Sequence, residues 1–397
     1  MNQFRIPRPA RDWHPSVAAA GKPGASGRAP VIGILLHDLA MGGTERTAIR
    51  LANAWTRRGC RVILYVGEAA GAQRELVGAG VEIRAPGRPV VRGPLSRLRL
   101  GRWFGRCCAS DGLDAVFVPG NFYFSTIGDV LAATRGTVPV YAKISNSLWR
   151  PDRSVLRNRF FSMLTRWRLR HVTGLVAMSS GLAQEARRLL GSEARLTVVP
   201  EPVLEALPPP TDDGRRRWHL CAVGRLAPQK NFALLLRSLA RLGDLPVTLD
   251  IAGDGEQREM LQQLARTLGV ADRVRFLGTV SDVLQRLAQA EVMVLTSDFE
   301  GYPAVIVEAL SVGTFVVARD CSPAIGEVLT SAGMGCVVAG ADPGRFAAAV
   351  RGYLGNRTRD TQRMRDIAAT HLVEEVASRY LALFGFGAEP SGGTHAA

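Results

Sequence analysis

Short apolar segments alternate with helical patterns along both halves of this chain, and this alternation limits the fold more than any other feature of the sequence. The apolar segments have the length of strands, and the stretches between them repeat apolar residues at helical spacing. Such an alternation predicts parallel α/β sheets. The predicted strands are 31–37, 62–66, 115–118, 138–143, 174–178, 220–223, 247–252, 274–277, 292–295 and 315–318. The predicted helices include 44–57, 231–242, 257–268, 282–289, 303–312 and one long final helix over 344–383.

A proline-rich break separates the two halves. Pro200, Pro202 and the run 208–214 cannot continue a helix or a central strand. Ligands of open parallel sheets bind beyond the carboxyl ends of the strands, so two such domains predict a ligand cleft between them. The predicted regions are a disordered lead-in over 1–29, a Rossmann-like domain over 30–205, a hinge over 206–217, a second Rossmann-like domain over 218–384 and a disordered tail over 385–397.

Positive charge is concentrated in the first half of the chain. Residues 1–210 hold 30 Lys and Arg against 14 Asp and Glu, whereas residues 211–397 hold 20 against 21. This asymmetry predicts an anionic partner for the first half, which leaves a membrane surface, a charged acceptor and a nucleic acid open. No apolar stretch has the length of a membrane span, and 1–28 lacks the apolar core of a secretory signal. The six cysteines form no zinc pattern, which predicts reduced thiols in a cytosolic protein.

Two glutamates flank the predicted start of a helix that follows the strand 292–295. Pro303 suits a first helical position, so the free N–H groups of this helix would face the strand end and could bind a diphosphate. Glu308 could then accept hydrogen bonds from ribose hydroxyls. Glu300, in the loop, could bind sugar hydroxyls or stabilise a developing cation. The alternative is that Glu300 is a solvated loop acid and Glu308 a surface charge.

A second candidate loop follows the strand 220–223. Gly224 ends the strand, and Arg225 and Lys230 bracket the loop before the next helix. Both cations could neutralise the phosphate of a leaving nucleoside diphosphate, although two exposed surface cations are the alternative. Gly253-Asp254-Gly255 and Gly42-Gly43 also follow predicted strands. Each of these glycine motifs alone is compatible with a plain strand-to-helix turn.

Together these motifs resemble those of glycosyltransferase family 4, a large retaining family with the GT-B fold. They occur in the order and at the spacing typical of the family. The matching segments are Gly42-Gly43-x-Glu45-Arg46, Gly224-Arg225-Leu226-x-Pro228-Gln229-Lys230-Asn231, Gly253-Asp254-Gly255, Phe276-Leu277-Gly278 and Glu300-x7-Glu308. The resemblance implies an α/β fold with two Rossmann-like domains facing an interdomain cleft, the first binding the acceptor and the second the nucleotide sugar.

The resemblance also implies roles for individual residues. Arg225 and Lys230 would contact the diphosphate, Glu308 the ribose and Glu300 the transferred sugar, so the expected catalytic residues are Glu300, Arg225 and Lys230. The loop 320–327 would close over the site. The expected donor-binding residues are Gly42, Gly43, Gly224, Arg225, Lys230, Gly253, Glu300, Gly301, Tyr302, Pro303, Ala304, Val305 and Glu308. The implied reaction is a front-face, retaining displacement that needs neither a metal nor a cofactor.

The chain departs from the family pattern at two places. Many members carry a His after the fifth strand of the first domain, whereas this chain has 143–147 without a His, which makes Ser145 and Asn146 the acceptor-side candidates. The usual Pro-Asn of the hinge is replaced by Pro200-Glu201. Among the six histidines, His37 alone lies near a predicted strand end of the first domain.

Two arginine-rich segments, 95–107 and 149–170, interleave arginines with apolar residues in the first half. Basic amphipathic helices of this type can lie on anionic bilayers. The equally weighted alternative is a pair of core-facing helices with solvated arginine faces.

The sequence therefore predicts a cytoplasmic hexosyltransferase, peripheral at the inner face of the cell membrane, that moves a sugar from a UDP- or GDP-sugar to a glycan or lipid-linked glycan acceptor in cell-surface polysaccharide biosynthesis. A GT-B epimerase or phosphorylase would need a further site that no motif supplies. The competing hypotheses are a basic nucleic-acid-binding protein and a non-catalytic GT-B-like binding protein. No nucleic-acid-recognition motif is present, so no nucleic-acid partner is expected.

Overall fold

The computed structural model describes residues 28–387 except 41, 94, 150–153, 192–193 and 210–213. These residues form two compact units: an N-terminal unit with 28–202 and 373–387, and a C-terminal unit with 203–372. Several predicted features lie wholly or partly outside the described residues. They are most of the lead-in 1–29, the centre of the hinge 206–217, the tail beyond 387 and the residues 150–153 of the segment 149–170.

The N-terminal unit is built on a seven-stranded parallel sheet with the order β3-β2-β1-β4-β5-β6-β7. Its strands are β1 Val31–Leu36, β2 Arg61–Val66, β3 Glu82–Arg84, β4 Ala115–Val118, β5 Val140–Ile144, β6 Gly174–Ala177 and β7 Leu196–Val198. Its helices are α1 Gly43–Arg57, α2 Ser96–Ser110, α3 Ile127–Ala133, α4 Val155–Leu169, α5 Ser180–Leu190 and, from the end of the chain, α13 Val373–Phe384. Short 3-10 helices cover Arg74–Leu76 and Asn121–Thr126.

The strands β1 and β4 at the centre of this sheet are apolar along their whole length because helices cover both of their faces. All six residues of β1 and all four of β4 are buried. An aromatic cluster joins α1 to α13: the Trp55 ring meets Tyr380 and Phe384 edge-on, and its Nε1 donates to the Ala377 carbonyl at 3.1 Å. The last helix of the chain therefore completes the core of the N-terminal unit.

The C-terminal unit is built on a six-stranded parallel sheet with the order β10-β9-β8-β11-β12-β13. Its strands are β8 His219–Val223, β9 Thr248–Ala252, β10 Val274–Gly278, β11 Val292–Leu295, β12 Phe315–Arg319 and β13 Gly335–Val338. Its helices are α6 Phe232–Ala240, α7 Arg258–Thr267, α8 Val283–Gln289, α9 Ala304–Ser311, α10 Ile325–Val328, α11 Pro343–Asn356 and α12 Thr361–Ala369, and 3-10 helices cover Pro228–Lys230 and Ala271–Arg273. The order of the strands reverses between β8 and β11, and parallel α/β sheets bind ligands at such a switch point.

The predicted fold class is confirmed, because both units are parallel α/β sheets covered by helices. The prediction of one helix over 344–383 is wrong. This region contains α11, α12 and α13, because Arg357 adopts a left-handed backbone (φ 53°) and the Asp360 carboxylate caps a new helix by accepting from the Arg363 N–H at 3.0 Å. The last of these helices packs in the N-terminal unit, whereas the predicted second domain extended to residue 384.

Candidate active site

Lys230 and Glu300 form an ion pair at the carboxyl ends of β8 and β11. Lys230 ends the 3-10 helix that follows β8, and Glu300 lies in the loop that follows β11. These two strands are neighbours in the sheet, so their loops meet. Nζ of Lys230 lies 2.5 Å from Oε1 of Glu300, and the Ser297 hydroxyl donates to the same oxygen at 2.7 Å. The two side chains are 21% and 10% exposed, so water screens the pair only in part.

Hydrogen bonds between the two loops fix this geometry. The Asp298 N–H donates to the Gln229 carbonyl at 2.8 Å, and Nε2 of Gln229 donates to the Phe299 carbonyl at 2.8 Å. Nδ2 of Asn231 donates to the Asp298 carboxylate at 3.0 Å. The side chain of Asn231 also caps α6, and its backbone is left-handed, with φ of 47°. The loops that carry the ion pair are therefore held to each other on both sides of it.

The glycines of the predicted motifs allow the turns after β8 and β9 to approach each other. A Cβ on Gly253 would lie 1.9 Å from the Gly224 carbonyl oxygen, and Gly253 has a φ of 140° that side chains disfavour. A Cβ on Gly224 would lie 3.2 Å from Cε of Lys230. The aliphatic chain of Lys230 thus lies against Gly224, which itself rests on Gly253. These glycines accommodate protein backbone and the Lys230 side chain.

Arg225 lies in the loop between β8 and the 3-10 helix that carries Lys230, and Glu308 lies on α9, the helix that follows Glu300. The Arg225 side chain is exposed, and within the described part of the chain it has no ion-pair or hydrogen-bond partner. Glu308 is half-buried in α9, and its carbonyl accepts from the Ser311 hydroxyl at 2.7 Å. The structure therefore brings together two of the three predicted catalytic residues, Lys230 and Glu300.

The predicted phosphate-binding segment follows Glu300 directly. Gly301 and Tyr302 are half-buried, Pro303 is the N-cap of α9, and the helix begins at Ala304, one residue after the predicted start. Val305 is half-buried in the first turn. The first N–H groups of a helix carry partial positive charge, so this turn favours an anion next to the Lys230–Glu300 pair.

His371 contacts Tyr302 of the predicted phosphate-binding segment, and no sequence motif pointed to this histidine. The Nδ1 of His371 lies 2.9 Å from the Ile367 carbonyl, which can only accept, so the proton is on Nδ1 and Nε2 accepts from the Tyr302 hydroxyl. The His371 carbonyl accepts from the N–H groups of Val203 at 2.9 Å and Leu204 at 3.2 Å. Tyr302 and His371 are 69 positions apart in sequence, so no local pattern connects them.

The loop after β12 packs on the segment that carries Glu300. The Cys321 carbonyl accepts from the Glu300 N–H at 3.0 Å, and the Ser322 hydroxyl donates to the Gly301 carbonyl at 3.2 Å. Burial, with a smaller contribution from the charge of Glu300, raises the pKa of the Cys321 thiol to about 12, so this cysteine stays protonated. Arg319, which no sequence motif singled out, ends β12 and contacts the Asp298 carboxylate. Its position at the end of a buried strand is the sequence feature that could have identified Arg319 as a candidate site residue.

In the N-terminal unit, the predicted residues lie beyond the carboxyl ends of β1 and β5. Gly42 is the N-cap of α1, Gly43 is exposed in its first turn, and the Gly42 carbonyl accepts from Nε2 of Gln73 at 3.0 Å. Ser145 and Asn121 exchange hydrogen bonds: the Ser145 N–H donates to Oδ1 of Asn121 at 2.9 Å, and the Ser145 hydroxyl accepts from the Asn121 N–H at 3.2 Å. Asn146 is exposed, and its carbonyl accepts from Nδ2 of Asn121 at 2.9 Å.

The two departures from the family pattern are joined in the structure. Lys143, which is buried on β5, forms an ion pair with Glu201, the residue that stands in place of the usual Asn. Glu201 also accepts from the Thr47 hydroxyl of α1. A buried ammonium needs a counter-ion, so Lys143 and Glu201 require each other.

His37 is buried immediately after β1. Its Nδ1 lies 3.3 Å from the Asp38 carboxylate, which Arg92 holds through two hydrogen bonds of 2.6 and 3.0 Å. Burial, together with the charge of Arg92, lowers the pKa of His37. The remaining ring nitrogen, Nε2, is buried and has no hydrogen-bond partner among the described residues. Across that same part of the chain, no three His, Cys, Asp or Glu side chains cluster as metal ligands would.

Two family models match the two halves of the chain. Residues 42–202 match the family described as Glycosyl transferase 4-like domain, and residues 211–371 match the family described as Glycosyl transferases group 1. The second match contains Arg225, Lys230, Glu300 and Glu308.

Similar proteins of known name match parts of the chain. The lipopolysaccharide core biosynthesis glycosyltransferase LpsE of Rhizobium meliloti is 41% identical over 97 residues, which cover 24% of this chain and 28% of the relative. The lipopolysaccharide 1,6-galactosyltransferase of Salmonella typhimurium is 32% identical over 155 residues, which cover 37% of this chain and 42% of the relative. The chain thus matches less than half the length of either relative.

The fold itself is shared with solved structures over almost the whole chain. The crystal structure of Anabaena Alr3699/HepE in complex with UDP and glucose superimposes with a TM-score of 0.68. The superposition covers 89% of this chain and 96% of that protein at 20% sequence identity. At this identity the likeness concerns the fold.

Proposed function

Because this chain belongs to the group 1 glycosyl transferases, we propose that it moves a sugar from a UDP- or GDP-sugar donor to a glycan or lipid-linked glycan acceptor in cell-surface polysaccharide biosynthesis. The named relatives that act on lipopolysaccharide support the choice of pathway class. The UDP and glucose bound by the Anabaena protein support the choice of donor.

The observation that carries the proposal is the ion pair between Lys230 and Glu300, four residues before the first turn of α9. The ammonium group of Lys230, the carboxylate of Glu300 and the N-terminus of α9 therefore lie together at the switch point of a parallel sheet. In the proposed reaction Lys230 and the exposed Arg225 bind the diphosphate, the first turn of α9 supplies N–H groups, and Glu300 contacts the transferred sugar. Glu308, one turn further along α9, binds the ribose.

We propose a retaining, front-face displacement without a metal ion. The leaving diphosphate gains negative charge as the bond to the anomeric carbon breaks, and fixed cations stabilise that charge without reorganising. Lys230 is fixed in this way, because its methylene groups lie against Gly224 and its ammonium group pairs with Glu300. In this proposal Glu300 stabilises the positive charge that develops on the sugar ring.

The N-terminal unit is proposed to bind the acceptor, with Ser145 and Asn146 among the contacting residues. A site of action at the inner, cytoplasmic face of the cell membrane is part of the same proposal, and the excess of Lys and Arg over residues 1–210 supports it. No helix within the described residues is long and apolar enough to cross a membrane.

Isothermal titration calorimetry tests the donor site. UDP, GDP, ADP and their sugars are titrated into the wild type, Lys230→Ala and Arg266→Ala, the last of which removes an exposed cation from α7 of the same unit. We expect one nucleoside diphosphate to bind the wild type and the Arg266 variant equally. Its affinity for Lys230→Ala should fall about 10- to 100-fold, because a charge-assisted contact to the phosphate is lost.

Binding of no nucleotide to the wild type would contradict the proposal. Salt-sensitive binding of DNA by such a protein would instead favour the nucleic-acid-binding alternative. Nucleotide-sugar binding without turnover in the presence of extracted lipid-linked glycans would favour the non-catalytic alternative.

A further inference from the structure

The helix α4 exposes a continuous stripe of large apolar side chains. Leu156, Phe160, Met163 and Trp167 are 78%, 62%, 63% and 57% exposed, respectively. At 3.6 residues per turn, their spacing places all four within an arc of about 60° on one side of the helix. Exposed apolar residues are ordinary when they are scattered, but a contiguous stripe marks a surface that contacts something else.

The buried face of the same helix is mostly polar. Asn158, Ser162, Thr165 and Leu169 are buried where α4 packs on its own unit, and they lie opposite the stripe. Within the part of the chain that is described, Oγ of Ser162 has no hydrogen-bond partner. A helix that covers a core buries its apolar face, whereas α4 buries a mostly polar face and exposes an apolar one. Packing inside the unit accounts for Asn158 and its neighbours but not for the apolar stripe.

Arginines flank the stripe on both sides. At helical spacing one side carries Arg157 and Arg168, and the other carries Arg159, Arg166 and Arg170. The range 154–171 contains no Asp or Glu. The guanidinium of Arg170 lies 5.1 Å from the ring centre of Trp167. An apolar stripe between two rows of cations is the arrangement of helices that lie in a membrane interface.

The like charges around α4 also favour an anionic partner. Burial and the charge of Arg97, on α2, lower the pKa of Arg168, so cationic groups of the two helices repel each other. Phosphate groups of an anionic surface would relieve this repulsion. A second copy of the same helix, facing α4 across a twofold axis, would increase it, since each copy brings the same five arginines.

The other arginine-rich segment behaves differently. In α2 the apolar residues Leu100, Phe104 and Cys108 are buried in the core of the unit. Its arginines therefore form the solvated face of an ordinary amphipathic helix, which was the alternative predicted for both segments. The structure separates the two segments and leaves α4 as the candidate contact surface.

We propose that α4 docks on the surface of an anionic lipid bilayer, with Leu156, Phe160, Met163 and Trp167 inserted at the boundary between headgroups and acyl chains. The arginines on both sides would contact lipid phosphates. This inference rests on the proposed function in one respect: it places the N-terminal unit at the surface where a lipid-linked acceptor resides. It also identifies the docking element, its inserted face and the class of lipid.

Flotation of the full-length protein with vesicles tests the proposal. Vesicles of phosphatidylcholine with phosphatidylglycerol are compared with vesicles of phosphatidylcholine alone. We expect the wild type to float with the anionic vesicles only. The partition coefficient of Phe160→Ser/Met163→Ser should be lower by about tenfold or more, because two large side chains no longer insert. Arg157→Gln/Arg159→Gln should bind more weakly and with a smaller dependence on salt.

The control is Leu76→Ser/Met260→Ser, which removes two apolar side chains of comparable exposure, 47% and 45%, from other surfaces. It should float as the wild type does, and circular dichroism should show that all variants are folded. Equal flotation of the Phe160 variant and the wild type would overturn the proposal. A wild type that does not float but forms a dimer, which the Phe160 variant abolishes, would show that a second copy covers the stripe.

Nucleotide calorimetry on the same samples keeps the two proposals apart. The Phe160 variant should bind the nucleoside diphosphate as the wild type does, because the candidate donor site lies in the other unit. A protein that binds nucleotide but ignores anionic vesicles contradicts the docking surface alone. A protein that floats but binds no nucleotide contradicts the proposed function alone.

Discussion

Nζ of Lys230 lies 2.5 Å from Oε1 of Glu300, so the residue proposed to bind the leaving diphosphate and the residue proposed to face the transferred sugar neutralise each other. The contact joins two loops that are 70 positions apart in sequence and follow neighbouring strands. A substitution at either residue therefore changes the electrostatic surroundings of the other.

Replacement of Glu300 by Gln should separate turnover from nucleotide binding. We expect consumption of the nucleotide sugar to fall about 100-fold or more, because the carboxylate no longer stabilises positive charge on the sugar. The nucleoside diphosphate should bind at least as tightly as before, because Lys230 is no longer shared with a carboxylate. Turnover assays and calorimetry measure the two effects. Asp244→Asn, at a carboxylate that is 60% exposed between α6 and β9 of the same unit, is the control, and equal losses of binding and turnover would contradict the assigned roles.

Gly253→Ala should destabilise the C-terminal unit by about 2 kcal/mol or more and weaken nucleotide binding. The new methyl group would lie 1.9 Å from the Gly224 carbonyl, and the φ of 140° is unfavourable for Ala. Urea unfolding and calorimetry measure these effects. Gly352→Ala is the matched control, because Gly352 lies inside α11 with nothing within 4 Å of its Cβ position, so Ala should be neutral or stabilise by up to about 1 kcal/mol. An unchanged free energy of unfolding for Gly253→Ala would show that the turns after β8 and β9 can move apart without loss of stability.

Tyr302→Phe should lower the free energy of unfolding by about 1 kcal/mol and weaken nucleotide binding several-fold, because the Tyr302 hydroxyl anchors the phosphate-binding segment to His371. Thermal unfolding and calorimetry measure both effects. Tyr353→Phe is the control in the same unit. Its hydroxyl is buried with no hydrogen-bond partner among the described residues, so its loss should be neutral or stabilising. Identical behaviour of the two variants would argue against an anchoring role for Tyr302.

The stability of the N-terminal unit should decrease on acidification below about pH 6.5. The pKa of His37 is lowered in the folded state from an ordinary value of 6.5, so the unfolded chain binds the proton more readily between the two values. Stability is therefore highest above pH 6.5 and falls by up to about 1.4 kcal/mol per pH unit towards the folded pKa. Hydrogen exchange of peptides from β1 measures this slope. His37→Gln should reduce it, and an unchanged slope would show that other groups control the acid response.

Much of the fold could be predicted because buried parallel strands are apolar along their whole length, as β1, β4 and β11 are. The strands β3, β7 and β13, which lie at the edges of their sheets, were not predicted because each has only three or four residues, of which two or three are half-buried, and so gives no clear pattern. The break after α11 depends on the left-handed backbone of Arg357, and the presence of an arginine does not predict this conformation.

The candidate site was predictable where its residues are close in sequence. Glu300, Glu308 and the α9 start fall within one loop and helix, so their spacing carried the information. The contact of His371 with Tyr302 and that of Arg319 with Asp298 depend on tertiary packing. The exposure of the apolar stripe on α4 could not be predicted either, because periodicity reveals an apolar face but not whether that face points inward.

Because Lys143 is buried, an amine-selective reagent can distinguish between the lysines of this protein. The chain has three lysines, of which Lys22 lies outside the described residues, Lys143 is enclosed with Glu201 and Lys230 is partly open to solvent. Within the described part of the chain, an amine-selective reagent thus has one accessible ammonium group, and that group lies in the candidate active site. A ligand bound at the candidate active site should protect Lys230 from labelling, and mass spectrometry of the labelled peptide would measure this protection. The measurement requires no prior identification of the sugar or the acceptor.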